Sequence, residues 1–417
     1  MRQTVSLPLR LALVVVIAVL GACTAEPPPR VFDAAEITVT EEARKVAAQS
    51  NEFAFDLYGQ LRQKDGNLFF SPASVSAALA MTYAGAGGQT KEEMTQVLHL
   101  DAPDEQVHQG FGELVHLLNS NGERYQLRMA SRLWGLEGYP FRPEFVKLTR
   151  DEYGAGLAQV NFNRPDKAAR TINDWIGKQT EGKIGQLISP NMIEPLTRLV
   201  LTNAIYFKAA WQDEFWKRAT ESAPFHLSGE EQTDAPLMRQ LEHFSYAETD
   251  DAQLLELPYV GNHLSMVVLL PKQADGLAGL EETMTAEKLD RWLAEGKSRR
   301  VEVFLPRFKI TSQLPLKDAL KALGMTRAFS EDADFSGMTS FEDLKLYAVI
   351  HAAFVNVDEE GTEAAAATAV MKDAAAAPPR EDPPVVFRAD HPFLFLIRDN
   401  RTGAILFLGR LTNPKSP

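Results

Sequence analysis

The chain has 417 residues, 45% hydrophobic and 24% charged, a composition that can bury a sizeable globular core. Lys and Arg number 43 against 56 Asp and Glu, and the formal net charge of −13 argues against an electrostatic grip on nucleic acid or on an anionic membrane. A single cysteine excludes an intrachain disulfide and a Cys-based zinc knuckle.

Arg2 and Arg10 precede residues 11–20 (LALVVVIAVL), an apolar run without a charge. That is the length of a secretory signal core and too short to span a bilayer. The run ends in Leu20-Gly21-Ala22-Cys23, then Thr24 and the Pro-rich Glu26-Pro27-Pro28-Pro29. A cysteine just after a short apolar run and two small residues resembles the bacterial lipobox. The alternative is an ordinary secretory signal with an incidental cysteine. The lipobox resemblance implies that residues 1–22 are a removed signal and that the Cys23 thiol carries lipid. Residues 23–39 are then a tether stiffened by proline, and more than one acyl chain would make the anchor stable. It also implies a place on a bacterial envelope, with Thr24 in the position after the cysteine pointing to the outer membrane. Membrane contact is expected through this lipid alone.

From residue 40 the pattern becomes helical. Residues 40–62 place Val46, Phe53, Phe55 and Leu57 at helix-compatible positions, and residues 72–83 form an Ala-rich run after a Ser71-Pro72 start. Ala84-Gly85-Ala86-Gly87-Gly88 reads as a helix end and turn, since its spacings are not those of a phosphate-cradling loop. Strand-like runs follow at 199–207, 264–270, 301–305 and 347–357. The last pair, 393–397 and 405–408, is joined by a polar turn over 398–403 and reads as a hairpin. Helices first and strands later predict an α+β fold with a large, partly antiparallel sheet, and one large domain from about residue 40 to the end.

Glu359 to Asp390 does not fit an ordinary domain. It has no alternation of large residues, and it contains Ala374–Ala377 and the prolines 378, 379, 383 and 384. Composition alone fits a disordered Ala/Pro linker. A connection this long between two buried-looking strands is uncommon, and when ordered it is usually functional.

Four motifs in order then resemble the serpin family over nearly the whole stretch from residue 40 to 413. They are Asn67–Val75 (NLFFSPASV), residues 201–208 (LTNAIYFK) followed by Trp211, residues 359–368 (EEGTEAAAAT), and residues 387–395 (FRADHPFLF). The resemblance implies the serpin fold: a multi-helix N-terminal part, a large mixed central sheet, further antiparallel sheets and an exposed reactive-centre loop at about 359–390. It implies a suicide substrate, in which a protease cuts the loop and is trapped as the cut strand inserts into the sheet.

The hinge residues Glu359, Gly361, Thr362, Glu363, Ala364, Ala365, Ala366, Ala367 and Thr368 suit that task. A strand alternates faces with period two. One face carries Thr362, Ala364, Ala366, Thr368 and Val370, all uncharged and small or β-branched; the only charge, Glu363, falls on the other face. The alternative for this run is a short Ala-rich helix. About a dozen new ladder bonds at a net ~1 kcal/mol each rival the whole stability of a domain, about 5–15 kcal/mol. Counting along the loop by the family's spacing puts the reactive bond between Ala375 and Ala376, which suits an elastase-like or subtilisin-like enzyme; Lys372 would instead suit a trypsin-like one.

The resemblance assigns Ser71, Ser74, Asn203 and His351 to a polar cluster that controls sheet opening. Glu359 and Arg307 become a charge pair at the loop's base, and Trp211 the top of the opening sheet, although each is also compatible with an ordinary core role. No Gly-x-Ser-x-Gly, His-Glu-x-x-His or phosphate-cradling Gly-x-x-x-x-Gly-Lys-Ser/Thr occurs, and the histidines show no ligand spacing. The expectation is therefore no enzyme, no metal and no cofactor; residues 101–121 lack Lys and Arg, which disfavours a heparin-type site. The expected partner of the monomer is a serine protease, or a papain-like cysteine protease. The rivals are a non-inhibitory serpin acting as a binding or structural envelope protein, and an envelope hydrolase.

Overall fold

Thr40 accepts a hydrogen bond from the Ala43 N–H at 3.2 Å, and Glu41 and Glu42 stand in the first turn, where the helix dipole favours negative charge. These features start α1 (Glu41–Leu61), whose inner stripe buries Val46, Phe53 and Leu57. The computed structural model describes residues 32–33, 38–122, 125–154, 156–227, 231–362 and 383–415. Ser71 caps α2 (Pro72–Tyr83), with Pro72 in the first turn where its missing N–H costs nothing. All twelve residues of α2 are buried, so this helix is a core element with neighbours all round. It is followed by α3 (Gly88–Val97), α4 (Asp104–Leu117), α5 (Pro143–Tyr153) and α6 (Pro165–Gln179), and later by the short α7 (Leu277–Thr283), α8 (Ala286–Glu295) and α9 (Lys317–Ala322).

The strands are β1 (Phe32–Asp33), β2 (Leu68–Phe70), β3 (Ser120–Asn121), β4 (Tyr125–Leu136), β5 (Ala158–Val160) and β6 (Leu199–Ala210). They continue with β7 (Glu221–His226), β8 (Gln232–Glu248), β9 (Ala252–Pro258), β10 (Leu264–Pro271), β11 (Lys297–Pro306) and β12 (Phe308–Pro315). The last are β13 (Ala348–Val357), β14 (Gly361–Thr362), β15 (Val385–Arg388), β16 (Phe393–Asp399) and β17 (Ile405–Leu411). Two sheets result. One is mixed and runs β1-β3-β4-β6-β14-β13-β12, with β5 on β4; the other runs β15-β11-β8-β9-β10-β16-β17-β2, with β7 on β8. Helices with a large mixed sheet and further antiparallel strands are the expected α+β architecture. Between the two hairpin strands β16 and β17, the Asp399 carboxylate accepts from the N–H groups of Arg401 and Thr402 and fastens the turn.

The mixed sheet is covered on both sides. Leu199, Leu201, Ile205 and Phe207 of β6 face the main core shared with α1 and α2. Val200 and Ala204 face a second cluster, where α6 contributes Ala168, Ala169, Ile172 and Ile176. The split follows from strand alternation, and it makes β6 apolar on both faces.

The sequence reading missed β4, twelve residues whose apolar–polar alternation over Tyr125–Met129 breaks at Ala130, Ser131 and Arg132. It also left residues 359–390 without strands, whereas β14 and β15 lie in that span. β14 and β15 are short segments held by neighbours distant in sequence, a signal that local periodicity does not carry.

Candidate functional site

The seam between β6 and β13 organises the site. These strands pair in parallel from Ala348↔Val200 to Phe354↔Tyr206 and then diverge, although both continue. Into the fork come Gly361 and Thr362, antiparallel to both neighbours: Gly361↔Ala210 and Thr362↔Ala209 on one side, Thr362↔Val357 on the other. A Cβ on Gly361 would overlap the Ala209 carbonyl and stand 2.8 Å from the Ala210 Cα, so only glycine passes here. Thr362 is fully buried, and its hydroxyl is 2.7 Å from the Tyr259 hydroxyl in the main core.

The three residues before this foothold are tied down by backbone. The Trp211 indole N–H donates to the Asp358 carbonyl at 2.9 Å, the Phe215 N–H to Glu359 at 2.9 Å and the Trp211 N–H to Glu360 at 3.0 Å. Trp211 is itself fixed by stacking on Tyr259, with ring centroids 4.6 Å apart and planes 8° from parallel. The Asp358 carboxylate accepts from the N–H groups of Glu360 and Gly361 and shapes the turn.

Glu359 is buried, with its carboxylate held by Arg307 (Nε at 2.8 Å, and Nη2) and by the Thr220 hydroxyl. Burial pushes its pKa up, but hydrogen bonds from Arg307 and Thr220 outweigh that and hold it below the usual glutamate range.

Lower in the seam, His351 and Asn203 face each other on one rung. The Ser71 N–H donates to His351 Nε2 at 3.0 Å; since an N–H can only donate, the ring proton sits on Nδ1 and goes to the Asn203 amide oxygen, 2.5 Å away. The Asn203 amide N–H₂ donates to the Ser74 hydroxyl at 2.7 Å, to the Ser74 carbonyl at 3.1 Å and to the Ser131 hydroxyl. The start of α2 and strands β4, β6 and β13 are thus joined by one buried network that pairs every one of these groups.

The structure therefore gathers Ser71, Ser74, Asn203 and His351 around one point of the seam, and Glu359, Gly361, Thr362, Trp211 and Arg307 around its open end. Glu363, Ala364, Ala365, Ala366, Ala367, Thr368, the Ala375–Ala376 bond and Cys23 lie outside the described residues. Three participants had no local sequence signal: Thr220 is 139 residues from Glu359, Tyr259 is 103 from Thr362 and Ser131 is 72 from Asn203. Asp358 was legible in principle, since Asp three residues before Gly is a turn pattern. Among the described residues no group of acidic, His or Cys side chains is arranged to hold a metal ion.

The sequence profile of the serpin (serine protease inhibitor) family matches residues 48–414. The chain is 42% identical over 382 residues to the leukocyte elastase inhibitor of Homo sapiens, covering 89% of this chain and 100% of that protein. Among solved structures it is similar to Serpin48, described as a highly specific serpin in the insect Tenebrio molitor, with a TM-score of 0.80 and 34% identity over 90% of this chain and 99% of that one. It is also similar to uncleaved ovalbumin, with a TM-score of 0.81 and 33% identity over 88% and 100%.

The His351 ring gives a pH test. Burial holds its pKa down to about 3, against an ordinary 6.5 in an unfolded chain. The unfolded state therefore takes up a proton that the folded state refuses, so the contribution present above pH 6.5 is lost as pH falls towards 3, at up to ~1.4 kcal/mol per pH unit. Chemical denaturation at pH 6.5 and 4.5 should show His351→Gln losing about 2–3 kcal/mol less over that interval than the unaltered protein. Parallel losses would mean that the ring is not held neutral.

Proposed function

The chain belongs to the serpin family, and from that premise we propose that it inhibits serine endopeptidases as a suicide substrate. The observation that carries this reading is the fork: a sheet already parted at one end, with Gly361 and Thr362 seated in it as the first rungs of a further strand. In the proposed reaction the protease's serine hydroxyl attacks the Ala375 carbonyl, the Ala375–Ala376 bond breaks and the amine leaves with Ala376. The loop then zips into the seam while the acyl ester still joins the two proteins. This makes the protein a trap that consumes the protease's own intermediate rather than an enzyme.

The register extends the argument. Each residue after Thr362 would pair one position further back along β6, so residues 364, 366, 368 and 370 would follow Thr362 onto the core face. None is bulky or charged; such residues on that face would support the non-inhibitory alternative. Thr368 would come level with Asn203, and its hydroxyl would stand between Asn203 and His351 once the strands part. The Ala374–Ala377 run and the likeness to an elastase inhibitor support a protease with a small or shallow primary pocket. We infer in addition that the monomer is exported and held on a bacterial envelope by lipid on Cys23.

Three experiments test these readings. Mixed with pancreatic-type elastase near equal amounts, the mature protein should yield a band at the summed mass that survives boiling in detergent. Cleaved protein beside fully active protease would speak for a substrate-like relative. Thr362→Arg puts a cation where a buried threonine faces the core, at a cost of several kcal/mol, on the order of burying an unpaired charge that can partly escape; the loop should still be cut, but without a stable complex. An unchanged stoichiometry would refute the facing assignment. Cys23→Ser, expressed in a bacterium that lipidates its envelope proteins, should move from the detergent phase to the aqueous phase, and retention in detergent would remove the lipid assignment.

A further inference from the structure

A cavity of about 540 Å³ lies on the face of the mixed sheet that α6 covers, opposite the main core. Its size is that of a small-molecule site, about 300–1,000 Å³. Ala169 of α6, Ile188 and Ile350 of β13 give it an apolar floor, and all three are buried. Three separate parts of the chain wall it: α6, the connection from α6 to β6, and the end of β12.

These walls are tied to one another. The Asn173 amide oxygen of α6 accepts from the N–H groups of Leu187 and Ile188, both at 2.9 Å, and its N–H₂ donates to the Ile188 carbonyl at 2.7 Å. From the far side, Gln313 of β12 donates to the Leu187 carbonyl at 2.5 Å. A cavity held in this way is preformed, and filling it costs little ordering of the protein. At its rim stand Asp166 and Arg170, both exposed and four residues apart on α6. Among the described residues neither side chain has a hydrogen-bond or ion partner.

Spacing selects the ligand. Side chains four apart on a helix are neighbours, about 5–6 Å between Cβ atoms, and the charged ends of an extended dipeptide are about 6–7 Å apart. A free amino acid carries both charges on one carbon, closer than the two side chains, and a lone carboxylate would meet Asp166 as well as Arg170. We propose that the cavity binds a short apolar peptide with free ends, a dipeptide in its simplest form. The ammonium goes to Asp166, the carboxylate to Arg170 and the apolar side chains to the floor, while Gln186 at the rim offers an amide to the peptide group.

The site also spans the seam. α6 shares its core cluster with Val200 and Ala204 of β6, whereas Ile350 and Gln313 belong to β13 and β12. A strand inserted between β6 and β13 would part these walls by about 4.8 Å. A peptide bound to the uncleaved form therefore opposes insertion, so end products of proteolysis would restrain the trap. This coupling rests on the inhibitory reading above; binding to the uncleaved protein does not.

Isothermal titration of the uncleaved mature protein with Leu-Leu should show one saturable site, with a Kd on the order of 1 mM or tighter for a ligand of this size. Arg170→Gln and Asp166→Asn should each weaken it at least tenfold with the melting temperature unchanged. Arg291→Gln, an exposed cation on α8, should leave it as it is. N-acetyl-Leu-Leu-amide and decanoate should bind at least tenfold more weakly than Leu-Leu. No saturable binding, binding indifferent to both α6 variants, or equal binding of the capped peptide or of decanoate would overturn the proposal. Protein cut in the loop should bind Leu-Leu at least fivefold more weakly, and equal affinity would overturn the coupling. Failure to form a detergent-stable elastase complex would overturn the inhibitory reading and leave the peptide site standing on its own titration.

Discussion

The ladder between β6 and β13 ends at Tyr206 and Phe354 although both strands run on for several residues, and the organisation of the site depends on that early stop. Beyond it each strand would present unpaired backbone groups in a buried place, which a sheet does not tolerate. Two residues, Gly361 and Thr362, supply the missing partners at the rim. One has no side chain to collide with the Ala209 carbonyl, and the other has one just large enough to reach Tyr259.

Two different devices hold the two levels of the seam. At the rim, Glu359 is held by Arg307, about half of whose side chain meets water, so a charge pair is affordable there. In the interior the same job falls to neutral groups: a histidine fixed in one tautomer, an asparagine and three serines. An imidazolium at His351 could not accept from the Ser71 N–H, so protonation would cost that bond as well as desolvation. The interior clamp can be broken only by a group that replaces its hydrogen bonds, whereas the rim can also loosen when Glu359 is protonated.

Much of this was legible in the sequence. The α2 helix shows itself through Ser71-Pro72 and an apolar run, β6 and β13 through long β-branched and aromatic stretches, and β16–β17 through the polar turn at 398–403. The alternation from Thr362 is a local property, and the buried Thr362 side chain agrees with the facing read from it. What stayed hidden is of another kind. β4 carries polar residues because one of them, Ser131, serves the cluster around Asn203, and its pattern is spoiled for that reason. Thr220 and Tyr259 acquire their meaning only when strands far apart in the chain are laid side by side. Pairing register is set by tertiary packing, and no window of sequence contains it.

The two-residue foothold has a consequence for timing. Starting a new strand inside a closed sheet would require a nucleus, an unfavourable encounter in which chain entropy is lost before any ladder bond is gained. Here the nucleus is part of the resting molecule, its register chosen and its first side chain already buried. On the inhibitory reading, cutting the loop starts a race between zippering and hydrolysis of the acyl ester, and the runner on this side leaves from beyond the starting line.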